Sequence, residues 1–144
     1  MTKVAATLND ELRKAKKEAA ETYAASLMSN SKWRALFDAL RASEVKVEGI
    51  VVKFIGDDRE HLSSLPGLYP PHAFIDLQPF HILPLVDIEW IEFRRIVRVK
   101  RPDNVPDGLV PQDTDVIRAA IEATGKRYPI EETELGFRVV GHVK

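Results

Sequence analysis

Apolar and polar positions follow two rhythms along this chain, and each change of rhythm marks an element. Residues 8–28 are alanine-rich, with apolar positions at helical spacing through Leu8, Leu12, Ala15, Ala19, Tyr23 and Leu27. That stripe is thin, and it predicts a helix that packs weakly or projects from the body. Lys14–Glu18 and Lys17–Glu21 stand four residues apart, where opposite charges meet on a helix. The stretch SNSKWRALFDALRAS is stronger. Ser31 is placed to cap a second helix whose Trp33, Leu36, Phe37 and Leu40 fall at i, i+3, i+4 and i+7. That stripe belongs in a core.

The rhythm then shortens. VKVEGIVVKFIGDD (45–58) alternates as a strand does and ends at Gly56-Asp57-Asp58. Residues 62–72, LSSLPGLYPPH, carry three prolines and a glycine and read as a loop. AFIDL (73–77) is a short strand, while Pro79 and Pro84 keep QPFHILPL out of a sheet centre. In VDIEWIEFRRIVRV (86–99), Val86, Ile88 and Trp90 share one face with Asp87 and Glu89 opposite, after which Ile91 and Phe93 appear on the face of the acids. Either a bulge near Trp90 or a strand covered on both sides accounts for the switch.

RPDNVPDGLVP is a second loop. QDTDVIRAAIEATG reads as a helix capped by Asp113 or Thr114, with Val116, Ala120 and Ile121 inward and Gly125 as its stop. YPIEETELGFRVVGHV closes as a hairpin turning near Glu132–Glu134. The order α-α-β-β-β-α-β-β predicts one α+β domain over residues 1–144, a mainly antiparallel sheet with helices on one face and residues 1–28 loosely attached.

Composition narrows the function. The 144 residues suffice for one self-supporting core, and the absence of cysteine removes disulfides, thiolate zinc sites and cysteine catalysis. No stretch approaches the roughly 20 apolar residues that span a bilayer, and the first residues lack the apolar core of a signal peptide, so a cytoplasmic protein is expected. The net charge of −1 is unevenly spread: residues 44–93 hold nine Asp/Glu against three Lys/Arg. Such a segment suits a cationic partner.

Candidate chemistry is sparse. The four histidines, His61, His72, His81 and His142, show no paired metal-ligand spacing; His61 lies near Asp57, Asp58 and Glu60, a set that a strand-ending turn also explains. Asp87 and Glu89 project from one strand face and, with Asp76, would suit a metal-dependent hydrolase or nuclease. Ile91, however, stands where an E-x-K site has its lysine. There is no G-x-S-x-G elbow, P-loop or dinucleotide fingerprint. Arg94, Arg95, Arg98, Lys100 and Arg101, with Phe93 beside them, form the one candidate nucleic-acid surface. A pI near 6.4 favours instead their pairing with acids of a neighbouring strand. The loop PGLYPPHAF presents Leu68, Tyr69, His72 and Phe74 among prolines, as a recognition loop or a core cover does.

The blocks SKWRALFDAL (31–40) and DIEWIEF (87–93) resemble the signature of a small bacterial family of unassigned function, over roughly residues 31–95. In size, acidity and lack of a catalytic motif the chain is also similar to immunity proteins of bacterial toxin systems. That resemblance implies a protein partner, a cationic toxin in its most concrete form. The expectation is a non-catalytic binding domain, monomer or homodimer, without metal or cofactor. Asp87, Glu89, Glu92, Tyr69 and His72 would be its partner-facing groups, with Asp87, Glu89 and Glu92 on the surface. A hydrolase using Asp87 and Glu89, and a nucleic-acid binder using Arg94 to Arg101, are the alternatives.

Overall fold

The computed structural model describes residues 2–69, 73–77, 81–99 and 105–144, with side chains from residue 9 onward except at 67–69 and 81. In chain order the elements are α1 (Thr2–Thr22), β1 (Ala25–Ser26), α2 (Asn30–Ala42), β2 (Ile50–Phe54), β3 (Glu60–Ser63) and β4 (Gly67–Tyr69). There follow β5 (Phe74–Leu77), β6 (His81–Pro84), a short 3-10 helix (Leu85–Asp87), β7 (Ile88–Arg94), β8 (Ile96–Val99) and β9 (Gly108–Pro111). The chain finishes with α3 (Thr114–Glu122), β10 (Ile130–Glu132), β11 (Gly136–Val140) and β12 (His142–Val143). This is an α+β fold with antiparallel strands. The helices come in the expected order, and the additional strands are short.

β7 organises the molecule. It is the middle strand of a five-stranded antiparallel sheet ordered β10-β11-β7-β2-β3. Ile88 through Phe93 are all buried, so neither face of the strand is wet. Lys53 pairs with Trp90 but Phe54 pairs with Ile88, which leaves Glu89 as an extra residue, a bulge. Both explanations of the broken alternation therefore hold. The strand is covered on two sides, and a bulge resets its facing.

One face of the sheet receives α2 and α3. Trp33, Leu36, Phe37 and Leu40 interlock with Ile50 and Val52 of β2, Ile88, Ile91 and Phe93 of β7, and Ile117 and Ile121 of α3. The predicted α2 stripe is the core, each of its four side chains at most 2% exposed. Its cap is Ser29 rather than Ser31, the Ser29 hydroxyl accepting from the Lys32 N–H. On α3 the cap is Asp113, as expected, but Val116 is 45% exposed and Ile117 takes the inward place beside Ile121. The correction is one of phase: helical rotation puts 114, 117 and 121 on one side. Gly125, at φ +78°, supplies the left-handed conformation that follows the helix.

α1 ends at Thr22, six residues before its expected end, because β1 follows and pairs with β12 (Ala25 opposite Val143). It packs against β6 and the 3-10 helix instead of projecting. As its sequence implies, the buried stripe is thin: Ala15, Ala19 and Tyr23 meet Ile55 and Val86 in a cluster separate from the main core. Residues 62–72, expected as a loop, hold the end of β3 and all of β4. β6, with Pro84, sits at the edge of the small sheet β4-β5-β6, where a proline costs no central ladder bond.

Candidate functional site

The face of the sheet turned away from α2 and α3 is where charge collects. Register alone assembles it. Arg138, Glu92, Val51 and Leu62 lie side by side across β11, β7, β2 and β3, and Val140, Trp90, Lys53 and Glu60 form the neighbouring row. A fully buried Glu92 thus stands at the centre strand between cations that the pairing supplies.

Glu92 accepts from Arg94 Nε, from Arg138 Nε at 3.0 Å and from the Thr133 side chain. Burial alone would raise its carboxyl, but these donors and the charges of Arg94 and Arg138 outweigh burial and hold it below the usual carboxylate range. Arg94 reaches on to Glu60 Oε1 at 2.9 Å, and the Arg138 guanidinium lies 3.9 Å from the centre of the Trp90 ring. Glu89, at the bulge, accepts from Lys53 Nζ at 3.0 Å and from the Tyr23 hydroxyl. Burial first, and then that carboxylate, push the Tyr23 hydroxyl above its usual range, so it remains a proton donor.

Asp87 behaves in the opposite way. It closes the 3-10 helix, not a strand, so it does not share a strand face with Glu89. Burial, with Glu18 and Glu11 of α1 nearby, raises its carboxyl to about 6.

Between this face and the β8–β9 hairpin lies a recess of about 410 Å3. Glu92, Arg94 and Glu60 lie at its charged end, and Leu62, Ile96 and Leu109 around it are 41%, 54% and 68% exposed. The hairpin comes so close to β2 because residue 49 is glycine: a Cβ there would stand 2.8 Å from a Val97 methyl. Gln112 fixes the approach. Its buried amide accepts from the Glu48 N–H and donates to the carbonyls of Gly49 and Arg94.

Several expectations change here. Glu89 and Glu92 are not surface groups: their side chains are 12% and 0% exposed, and cations of the same fold neutralise them. A strand buried on both faces leaves no wet side for them. The pairing expected of the arginines is present for Arg94, while Arg95 donates to the Glu134 carbonyl and Arg98 is exposed at the recess. Asp57, near which a metal was considered, is engaged by Arg59 and by His61 Nε2 at 2.8 Å, and Arg59 first, then His61, hold its carboxyl below the usual range. His72, Lys100, Arg101 and the Tyr69 side chain lie outside the described residues. Among the described residues no three His, Asp or Glu side chains gather as a metal site would require.

Among the contributors that went unnoticed in the sequence are Tyr23, Lys53, Arg138 and Gln112. For Arg138 a signal existed. It is the polar position in the alternating run Phe137-Arg138-Val139 of a strand, the sole cation on the outer side of that hairpin. Tyr23 and Gln112 gave none, being a stripe residue and a loop residue by pattern.

No curated protein and no solved structure matches the chain. A family does, over residues 15–144, which takes in the last eight residues of α1 and the C-terminal third as well as the blocks SKWRALFDAL and DIEWIEF. The match covers far more than half of the sequence and includes every residue of the outer face and the recess; the chain belongs to DUF6678, a family of unknown function.

Proposed function

We propose that this is a non-catalytic protein-binding domain whose partner docks at the recess beside the β8–β9 hairpin. The observation that carries the reading is the rim. Leu62, Ile96 and Leu109 gather large aliphatic surface in water around one concavity, an arrangement that marks interaction sites more often than scattered apolar residues do. Fully covering one such side chain is worth about 1.5–3 kcal/mol. The buried carboxylates support the same reading, since Glu92 accepts from Arg94 and Arg138 on its two oxygens and Glu89 accepts from Lys53 and Tyr23 on Oε1. A hydrolase would need them for a metal ion or a proton.

An immunity role against a cationic toxin is the more specific form. It would draw on Glu44, Asp58 and Asp87, acids of the 44–93 segment without a described cationic partner. Photo-cross-linking in the source cells tests the docking site. A photoreactive residue at Leu109 or Ile96 should give one discrete protein adduct, and one at exposed Val116 on α3 should give none. Adducts of equal yield at all three positions, or none at Leu109, would refute the site. A loss of adduct at high salt would favour the toxin form.

A further inference from the structure

Among the described residues the charge around the recess does not balance. Behind and within it stand two carboxylates, Glu60 and Glu92, and three guanidiniums, Arg94, Arg98 and Arg138. Arg94 and Arg138 are committed to both acids. Arg98 lines the recess, is exposed, and pairs with no described carboxylate. Among the described residues one positive charge is therefore left over beside an aliphatic rim.

We propose that the recess is a ligand site for an apolar group ending in a single carboxylate. The head lies against Arg98, and the body covers Leu62, Ile96 and Leu109. The inference rests on the reading of this recess as a binding site and adds its chemistry. A volume of about 410 Å3 is that of a small-ligand site and holds a few groups, not a folded surface. A cation would meet the excess positive charge, because both oxygens of Glu92 and Oε1 of Glu60 already accept from arginines and Arg138 lies 3.9 Å from Glu60 Oε2. A polyanion would find one uncommitted guanidinium among the described residues, too few to neutralise it. A neutral apolar group would fill the rim but leave Arg98 without a counter-charge. Such a monocarboxylate comes either as a small molecule or as the C-terminus of a chain ending in an apolar residue.

Titration of the full chain with phenylbutyrate, phenylbutanol and phenylbutylamine, read by calorimetry and amide chemical shifts, holds the body constant and varies the head. The carboxylate should bind about fivefold more tightly than the alcohol, with the amine weakest, and the gap should narrow at high salt. Arg98→Ala, a change at an exposed position, should remove the preference while Leu109→Glu removes binding altogether. A second arm compares acetylated glycylleucine with its amide. Binding of phenylbutyrate but not of the dipeptide acid assigns the site to small carboxylates, and the reverse assigns it to a chain terminus.

Equal affinity for all three heads, abolished by Leu109→Glu, would overturn the charge selectivity and leave the docking site standing. No binding of any probe, with cross-links at Leu109 intact, would overturn the ligand site. Absence of both would overturn the docking reading as well.

Discussion

The two faces of β7 are buried to the same degree by opposite means. Toward α2 and α3, Ile91 and Phe93 meet side chains that ask nothing of their neighbours but shape. On the other side Glu92 is as dry as they are, and it is tolerable there only because Arg94, Arg138 and Thr133 surround it. The first face should respond to loss of volume and the second to loss of charge.

The largest expected effect is on the apolar face. Phe37→Ala should cost about 3–5 kcal/mol in chemical denaturation, and a loss below about 1 kcal/mol would show that α2 is not the core its stripe suggests. On the charged face, Glu92→Gln keeps the volume and leaves two half-buried guanidiniums with the carboxylate of Glu60 alone. It should cost about 2–4 kcal/mol, and near-neutrality would mean that water already satisfies them. The cost should also depend on pH. A depressed carboxyl contributes stability that is present above its unfolded pKa and is lost as pH falls through the folded one, so variant and wild type should converge in acid.

Asp87 runs the other way. Its carboxyl is raised to about 6, so the native state holds a proton that the unfolded state releases near pH 4, and stability falls as pH rises across that window. Asp87→Asn should therefore stabilise the protein at pH 7 by about 1–2 kcal/mol and leave it unchanged below about pH 4. A gain of equal size at both pH values would place its origin outside ionisation. The smallest effect expected is that of Tyr23→Phe, about 1–1.5 kcal/mol, because Lys53 still serves Glu89. A cost above about 3 kcal/mol would make α1 a larger part of the fold than its thin stripe indicates.

The apolar face was legible in the sequence, since helical periodicity is a local property and Trp33, Leu36, Phe37 and Leu40 lie within eight residues. The charged face was not. The donors to Glu89 and Glu92 include Lys53, Arg138 and Tyr23, separated from them by 36, 46 and 66 residues. Strand register brings Lys53 and Arg138 there and the packing of α1 brings Tyr23, and the bulge at Glu89 shifts that register by one. Acids among apolar residues then look like the wet side of a sheet. Arg94, two residues from Glu92, was within reach of a local reading. The expected pairing was with an acid of another strand, which Glu60 of β3 supplies, while the bond to Glu92 lies within β7. The recess depends on Gly49, Gln112 and a hairpin crossing β2, three features that have no periodic signature.

The central position of β7 also has a consequence for synthesis. Its neighbour β2 is made before it, but β11 follows, with Arg138 emerging 46 residues after Glu92. At about 5–20 residues per second the ribosome takes roughly 2–9 s to cover that distance. Throughout the interval the middle strand of the finished sheet is an edge, and its glutamate has one arginine where it will have two. A nascent chain in this state exposes one unpaired ladder and Phe93 without its stacking partner Phe137. The sheet can close only after the C-terminal hairpin has left the ribosome.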